Sequence, residues 1–299
     1  MPEFNAKGPD DPKKKELEER RQRFLEAQKR KQRLKEKMEN VKYKITVMSG
    51  KGGVGKSTVS VNLAVALAEE GFNVGLLDLD LHGPNVVRML GLNDKLSVDS
   101  GEILPAYYGT NLKVISMAFL LEEGAPVIWR GPLKTTAIEQ FLADVRWGEL
   151  DFLVVDLPPG TGDEALTLYQ STSIDGAVLV TTPQVVALDD VRRAAKFVLD
   201  MRDAPMSASK NVKILGVIEN MAYLRCPNGD IVYIFGKGGG ERLAQELEVP
   251  LLAKIPMDPK AMEMMDKGMP PVSFYRSTEF EQAFRKLVGK ILEELKGES

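Results

Sequence analysis

Among its 299 residues the chain has one cysteine, Cys226, and one histidine, His82. A single cysteine excludes an intrachain disulfide, and it argues against a self-contained zinc or iron-sulfur site, which takes about four protein ligands. Long apolar runs are missing as well. None approaches the roughly 20 residues that span a bilayer, and the first residues are charged where a secretion signal needs an apolar stretch; a cytoplasmic location is the expectation. There is also little net charge, but its distribution is uneven. Residues 11–40 hold 12 Lys/Arg and 7 Asp/Glu, a net of +5, so against a total of −3 the remainder carries −8. An acidic body disfavours nucleic acid as a partner of the main domain.

The charge break at residue 40 is also a compositional boundary. Residues 1–40 read as a charged extension: MPEFNAKGPDDP as disordered, and KKKELEERRQRFLEAQKRKQRLKEKMEN as a solvated helix with charges that pair at i, i+4 and only a few apolar residues (Leu17, Phe24, Leu25, Leu34, Met38). Docking on a partner, a dimer contact or a weak hold on an acidic surface are the other readings of that helix. From residue 41 to 299, β-branched runs alternate with longer helical patterns, which predicts βαβ units and a doubly wound, mainly parallel α/β sheet. The strand candidates are 43–49, 73–78, 112–117, 151–156, 176–182, 212–218 and 251–256. Helical patterns cover 57–70, 135–145, 188–201 and 241–248. IVYIF (231–235), after the turn PNGD, reads as a short hairpin arm. The last segment carries Phe284, Leu287, Val288, Ile291, Leu292 and Leu295 on one helical stripe, predicted to pack on the core.

Directly after the first strand stands GKGGVGKST, Gly50 to Thr58, which fits G-x-x-x-x-G-K-[ST] through Gly50, Gly55, Lys56 and Ser57. Glycines let the backbone curl until its amides face phosphate oxygens, and the following helix points its positive end there. The candidate nucleotide-binding segment is therefore Gly50, Lys51, Gly52, Gly53, Val54, Gly55, Lys56, Ser57 and Thr58. Lys56 is assigned to the β and γ phosphates and the Ser57 hydroxyl to Mg²⁺. Two further stretches supply carboxylates at strand ends. LLDLDLHGPN offers Asp78 and Asp80; FLVVDLPPGTGD offers Asp156, then Gly160 and Asp163. Asp156 is the candidate to hold Mg²⁺ or its waters, Asp80 to orient the attacking water, and the Gly160 amide to sense the γ phosphate. Mg²⁺-dependent hydrolysis of a nucleoside triphosphate is the expected chemistry.

The second lysine of the loop, Lys51, makes the form K-G-G-x-G-K-[ST], which resembles the deviant Walker A ATPases, a group that includes MinD, ParA and the nitrogenase iron protein. The resemblance implies an ATP-dependent homodimer in which Lys51 reaches the nucleotide of the facing subunit. More specific stretches, DLDLHGPN, WRGPLK (129–134), DLPPGTGDEAL (156–166), TTPQVVALDDVRRA (181–194), IENMAYLRCP (218–227) and IFGKGGGERLAQELEVPLLAKIPMDP (234–259), resemble the Mrp family, also called ApbC, from about Tyr43 to the C-terminus. That resemblance implies a cytoplasmic ATPase dimer that carries iron-sulfur clusters to apo-proteins or works with assembly factors. By analogy with the group's nucleotide pocket, Asn220 contacts adenine, and Pro256 to Asp258 line it.

The family holds its cluster between subunits with a Cys-x-x-Cys pair from each chain. Here the first cysteine is Cys226, and Gly229 stands where the second belongs. Two subunits then supply two thiolates where four are usual. Small-molecule thiols or Asp230 could complete the shell, although oxygen suits iron-sulfur chemistry poorly; His82 reads as a loop or core histidine. A cluster-free ATP switch of the MinD or ParA kind, acting as adaptor or positioning factor, is the alternative. An electron-donating reductase like the nitrogenase iron protein fails on ligand count.

Overall fold

A computed structural model describes residues 12–81, 83, 85–93, 96–120 and 131–297. In chain order the N-terminal half contains α1 (Pro12–Glu39), β1 (Val41–Ser49), α2 (Lys56–Glu69), β2 (Val74–Asp78), α3 (Val86–Met89), β3 (Ser97–Asp99), β4 (Glu102–Leu104), β5 (Ala106–Tyr108), β6 (Leu112–Ser116) and α4 (Gly131–Ala143). There follow β7 (Leu150–Asp156), α5 (Asp163–Ser171), β8 (Gly176–Thr181), α6 (Val185–Asp203), β9 (Lys213–Glu219), β10 (Leu224–Arg225) and β11 (Ile231–Val232). The chain ends with α7 (Gly239–Glu246), β12 (Leu251–Lys254), α8 (Pro259–Asp266), α9 (Pro271–Phe274) and α10 (Glu279–Lys296).

Eight strands form one sheet in the order β12-β9-β8-β1-β7-β2-β6-β5, parallel except for the last pair. The seven parallel members are the seven expected strands. Their continuous apolar runs reflect burial on both faces, since helices cover each side. The edge strand β5 and the separate hairpin β3/β4 were not expected; at three residues each they are too short for any period to show. One helical layer, with α4, α5, α6 and α7, packs through residues such as Phe141, Tyr169 and Val191, and the other, with α2 and α10, through Leu63, Leu67 and Phe284. The C-terminal stripe is consumed by this second layer: Phe284, Leu287, Val288 and Ile291 are all buried. No helix among the described residues is long and apolar enough to cross a membrane.

The charged N-terminal helix departs from the solvated reading at its C-terminal end. Leu34 and Met38, one turn apart on one face, are buried in the core. Arg33 is bonded to Asp144 at 2.8 Å, Lys37 pairs with Glu102, and Lys37 Nζ also donates to the Val145 carbonyl at 2.8 Å. Farther back, Leu17 and Phe24 are 67% and 63% exposed, so the solvated description holds only there. Two apolar residues at i, i+4, together with these polar bonds, dock the end that leads directly into β1.

The strand order places β1 between β7 and β8, where chain connections diverge to either side. A crevice at the carboxyl ends of the strands is expected at such a switch point. The loop after β1 sits there.

Candidate functional site

Two glycines of the loop are required by contacts beyond the loop itself. Gly55 has φ of +80°, and a Cβ on it would lie 2.2 Å from Asn220 Nδ2. Gly50 has room for no side chain because α6 passes so close that a Cβ would meet the Asp190 carbonyl carbon at 2.0 Å. Gly55 also ends the loop as the residue before α2, with no side-chain cap, leaving the first amides of α2 open toward a ligand. A cavity of about 290 Å³ opens on the loop backbone from Lys51 to Thr58, with Asp80, Asn85, Met89 and Pro159 on its other walls. A larger one of about 530 Å³ runs along the β12 edge, where Lys254 and Glu241 neutralise each other; it lacks the convergent amides of the first.

Under the loop lies a buried charge network. Asp156, at the end of β7 and fully buried, accepts from Lys56 Nζ and Ser60 Oγ on Oδ1, both at 2.7 Å, and from Ser57 Oγ on Oδ2 at 2.6 Å. Lys56, Ser57 and Ser60 share one face of the first turns of α2, so a single helix delivers three donors to one carboxylate. Sequence reasoning had Lys56, Ser57 and Asp156, but missed Ser60; its i+3 and i+4 spacing from Ser57 and Lys56 was the available signal. The donor set for a metal, Ser57 Oγ with the Asp156 and Asp80 carboxylates, is all oxygen. This fits Mg²⁺, which takes one or two carboxylates plus substrate phosphates instead of a full protein cage.

Asp78 stands opposite Asp156 in the β2–β7 register. It accepts from Ser116 Oγ at 2.7 Å and from the Asp80 amide at 3.0 Å. Burial first, then the neighbouring Asp156 charge, push its carboxyl up from 3.8 to about 8. The fold therefore holds a proton that the unfolded chain releases. Stability from this group is fully present below about 4, declines as pH rises, and is lost above about 8. Asp78→Asn imitates the protonated form at every pH. In urea titrations at pH 5, 7 and 9 the variant is expected to gain on the wild type as pH rises; parallel pH profiles would reject the assignment.

The other predicted residues are placed as follows. Lys51 is half-buried on the cavity wall, and its carbonyl accepts from Ser49 Oγ at 3.1 Å. Asp80 also faces the cavity, its Oδ1 accepting from the Gly83 amide at 3.2 Å. The Gly160 amide, expected to face a γ phosphate, donates instead to the Ser49 carbonyl at 2.8 Å, which ties it to the end of β1. Asn220, Pro256 and Asp258 do not line the cavity. Asn220 Nδ2 donates to the Val54 carbonyl at 2.8 Å and so holds the loop from behind. Pro256 is buried. Asp258 caps α8, accepting from the Lys260 and Ala261 amides at 2.9 and 3.1 Å, as an Asp followed by Pro at the first helical position often does. His82, Trp129 and Arg130 lie outside the described residues.

Cys226 is half-buried and free, at the start of the turn that joins β10 to β11. The turn closes on itself: the Cys226 amide donates to the Asp230 carbonyl at 2.8 Å, and the Gly229 amide to the Cys226 carbonyl at 2.9 Å. Asn228 and Asp230 bond to each other at 2.7 Å, and Arg225 is anchored on Glu279 at 2.8 Å. The hairpin is thus held without a metal. Among the described residues no three His, Cys, Asp or Glu side chains gather as a metal site. Beyond the turn, Ile231, Val232, Tyr233 and Ile234 are each exposed by 41–51%.

A family model described as ParA, NUBPL iron-transfer P-loop NTPase, matches residues 40–292. The iron-sulfur cluster carrier protein of Pyrococcus horikoshii is 50% identical over 278 residues, covering 89% of this chain and 90% of the relative. The protein of that name from Methanocaldococcus jannaschii is 46% identical, with 89% of each covered. Among solved structures, a nucleotide-binding protein in complex with ADP from Archaeoglobus fulgidus superposes with a TM-score of 0.69 at 38% identity, covering 80% of this chain and 91% of that one. The cell division ATPase MinD of Pyrococcus furiosus gives 0.62 at 28% identity, covering 84% and 98%.

Proposed function

Because the chain belongs to the ParA family of NUBPL-type iron-transfer P-loop NTPases, we propose that it is a homodimeric ATPase that binds iron-sulfur clusters as cargo and delivers them to apo-proteins. The observation that carries this reading is the match of the whole body, cysteine hairpin included, to the iron-transfer family and its curated carriers. Identity to those carriers is well above identity to MinD, which favours a carrier over a cluster-free positioning switch.

The ATPase half follows from the buried network. Lys56 rests on Asp156, and phosphate oxygens entering the cavity compete for the same ammonium. The loop amides and the open end of α2 then hold the phosphates, while Asp80 is placed at the cavity wall to orient a water for in-line attack. Ser57 and Asp156, directly or through water, would hold Mg²⁺, which would supply neutralisation of the phosphate charge. Lys51 reaches the partner subunit's nucleotide, which makes closure of the dimer depend on ATP. Hydrolysis reopens it, and the reaction is slow because the nucleotide serves as a switch.

The cargo half rests on Cys226. Two subunits bring two thiolates together, and small-molecule thiols complete the four-ligand shell. An incomplete protein shell suits a carrier that must release its cargo, since every exchangeable ligand is a point of entry for the recipient. Anaerobic reconstitution with iron and sulfide is the test. The wild type is expected to show thiolate-to-iron absorption in the visible and to bind iron, and Cys226→Ala to lose both. If neither protein binds iron while both hydrolyse ATP, the chain is a cluster-free switch.

A further inference from the structure

The sheet ends at β12, which is bonded to β9 on one side and, among the described residues, to no strand on the other. An end strand leaves main-chain amides and carbonyls unpaired, a template on which another extended segment can add. Two hollows flank this edge and share Leu251 and Glu241: the cavity of about 530 Å³, which reaches α10, and one of about 310 Å³ against α7. The α10 side has uncompensated positive charge. Glu241 and Glu279 are already paired, with Lys254 at 2.5 Å and Arg225 at 2.7 Å. Lys286 and Lys290, one turn apart and both exposed, have no carboxylate partner among the described residues. Lys290 Nζ donates instead to the Leu251 carbonyl at 2.8 Å and so blunts the open edge. The α7 side is more apolar: Ala244 is buried, Val249 and Leu251 are half-buried, and Glu248 is exposed.

We propose that the β12 edge is a docking surface for an extended segment of a partner protein, which adds as a further strand and alternates carboxylate with apolar side chains. Successive side chains of a strand face opposite sides. The carboxylates therefore meet Lys286 and Lys290, while the apolar residues between them enter the hollow lined by Ala244 and Val249. The spacing fits as well: side chains two apart in a strand advance about 6.7 Å, and lysines four apart in a helix about 6 Å. On docking, an amide of the incoming strand takes the Leu251 carbonyl, and Lys290 turns from it to a carboxylate. A second copy of this chain is a poorer occupant, because it brings the same two lysines while its Glu241 and Glu279 are committed internally. None of these residues lines the phosphate-loop cavity, so the inference goes beyond the nucleotide and cargo readings and stands without them.

The probe is a fluorescein-labelled peptide of about six residues, a common strand length, alternating valine and glutamate, and its binding to the full-length protein is followed by fluorescence anisotropy. Three control peptides carry N-methyl groups on the valine amides, N-methyl groups on the glutamate amides, or lysine in place of glutamate. Methylating the set of amides turned toward β12 is expected to weaken binding at least about tenfold, the loss of two main-chain hydrogen bonds, and methylating the other set to leave it nearly unchanged. The lysine peptide is expected not to bind. The double variant Lys286→Gln, Lys290→Gln, checked for folding by circular dichroism, is expected to bind the glutamate peptide about tenfold more weakly. Amide hydrogen exchange of the wild type is expected to slow at residues 251–254 when the peptide is present. Equal effects of the two methylations, binding of the lysine peptide as tight as that of the glutamate peptide, unchanged binding by the folded double variant, or protection confined to other segments each overturns the proposal in favour of general charge attraction. A double variant that changes the oligomeric state in gel filtration gives the edge to a second copy instead. No binding up to about 1 mM, where even weak recognition registers, overturns it outright. The peptide series uses the wild type alone and decides the question whether or not the variant folds.

Discussion

Lys56→Met is expected to lower ATP hydrolysis at least about 100-fold, the scale seen when a preorganised donor to developing charge is removed, and to cost about 3 kcal/mol of stability. The two effects have different origins. Activity is expected to fall because the ammonium proposed to meet the phosphates is gone. Stability falls because Asp156, with no exposed surface, loses the cation 2.7 Å away and keeps only the hydroxyls of Ser57 and Ser60. A second substitution separates them. Asp156→Asn on top of Lys56→Met removes the stranded charge while keeping the side-chain shape, so most of the stability is expected to return. Hydrolysis is not. Phosphate release and urea midpoints check both; a single variant that unfolds like the wild type, or a double variant that regains turnover, contradicts the assigned roles.

Gly229→Cys is expected to raise the amount of iron that the protein retains through desalting. The position is prepared for it in space, since a Cβ there would meet nothing within 4 Å. It is not prepared in backbone conformation: φ is +92°, and a non-glycine residue in the left-handed region costs about 1–2 kcal/mol. The turn's bonds run through the backbone, from the Gly229 amide to Cys226 and from Arg225 to the Gly229 carbonyl, and a new side chain leaves them in place. Two such chains bring four thiolates, the usual complement of a cluster. Iron per dimer after reconstitution and gel filtration is the measurement. A folded Gly229→Cys protein that keeps no more iron than the wild type would show that this hairpin does not face its counterpart across the dimer. It would also make the glycine at this position incidental to cargo release.

The sheet and the loop could be read from the chain because both are local in origin. Seven runs of β-branched residues reported seven parallel strands, and GKGGVGKST reported a glycine-rich loop between a strand and a helix. PNGD likewise announced a hairpin, because a turn is decided by the few residues that make it. The docked end of α1 was less legible, since Leu34 and Met38 look the same in sequence whether or not a partner surface exists.

The partners of side chains were not legible at all. Lys56 and Asp156 are 100 positions apart, and nothing in either stretch says that one ends up on the other. Their contact, the proton held on Asp78 and the capture of Val54 by Asn220 all follow from the register of neighbouring parallel strands, which sets strand ends side by side. Asp258 and Gly160 show the same limit from the other direction: residue types suited to a nucleotide site are spent on a helix cap and on the end of β1. Sequence alone determined which chemical groups this protein possesses and which local structures carry them. The tertiary structure decided which groups meet, because charge, protonation and hydrogen bonding depend on neighbours that only the packed sheet brings within reach.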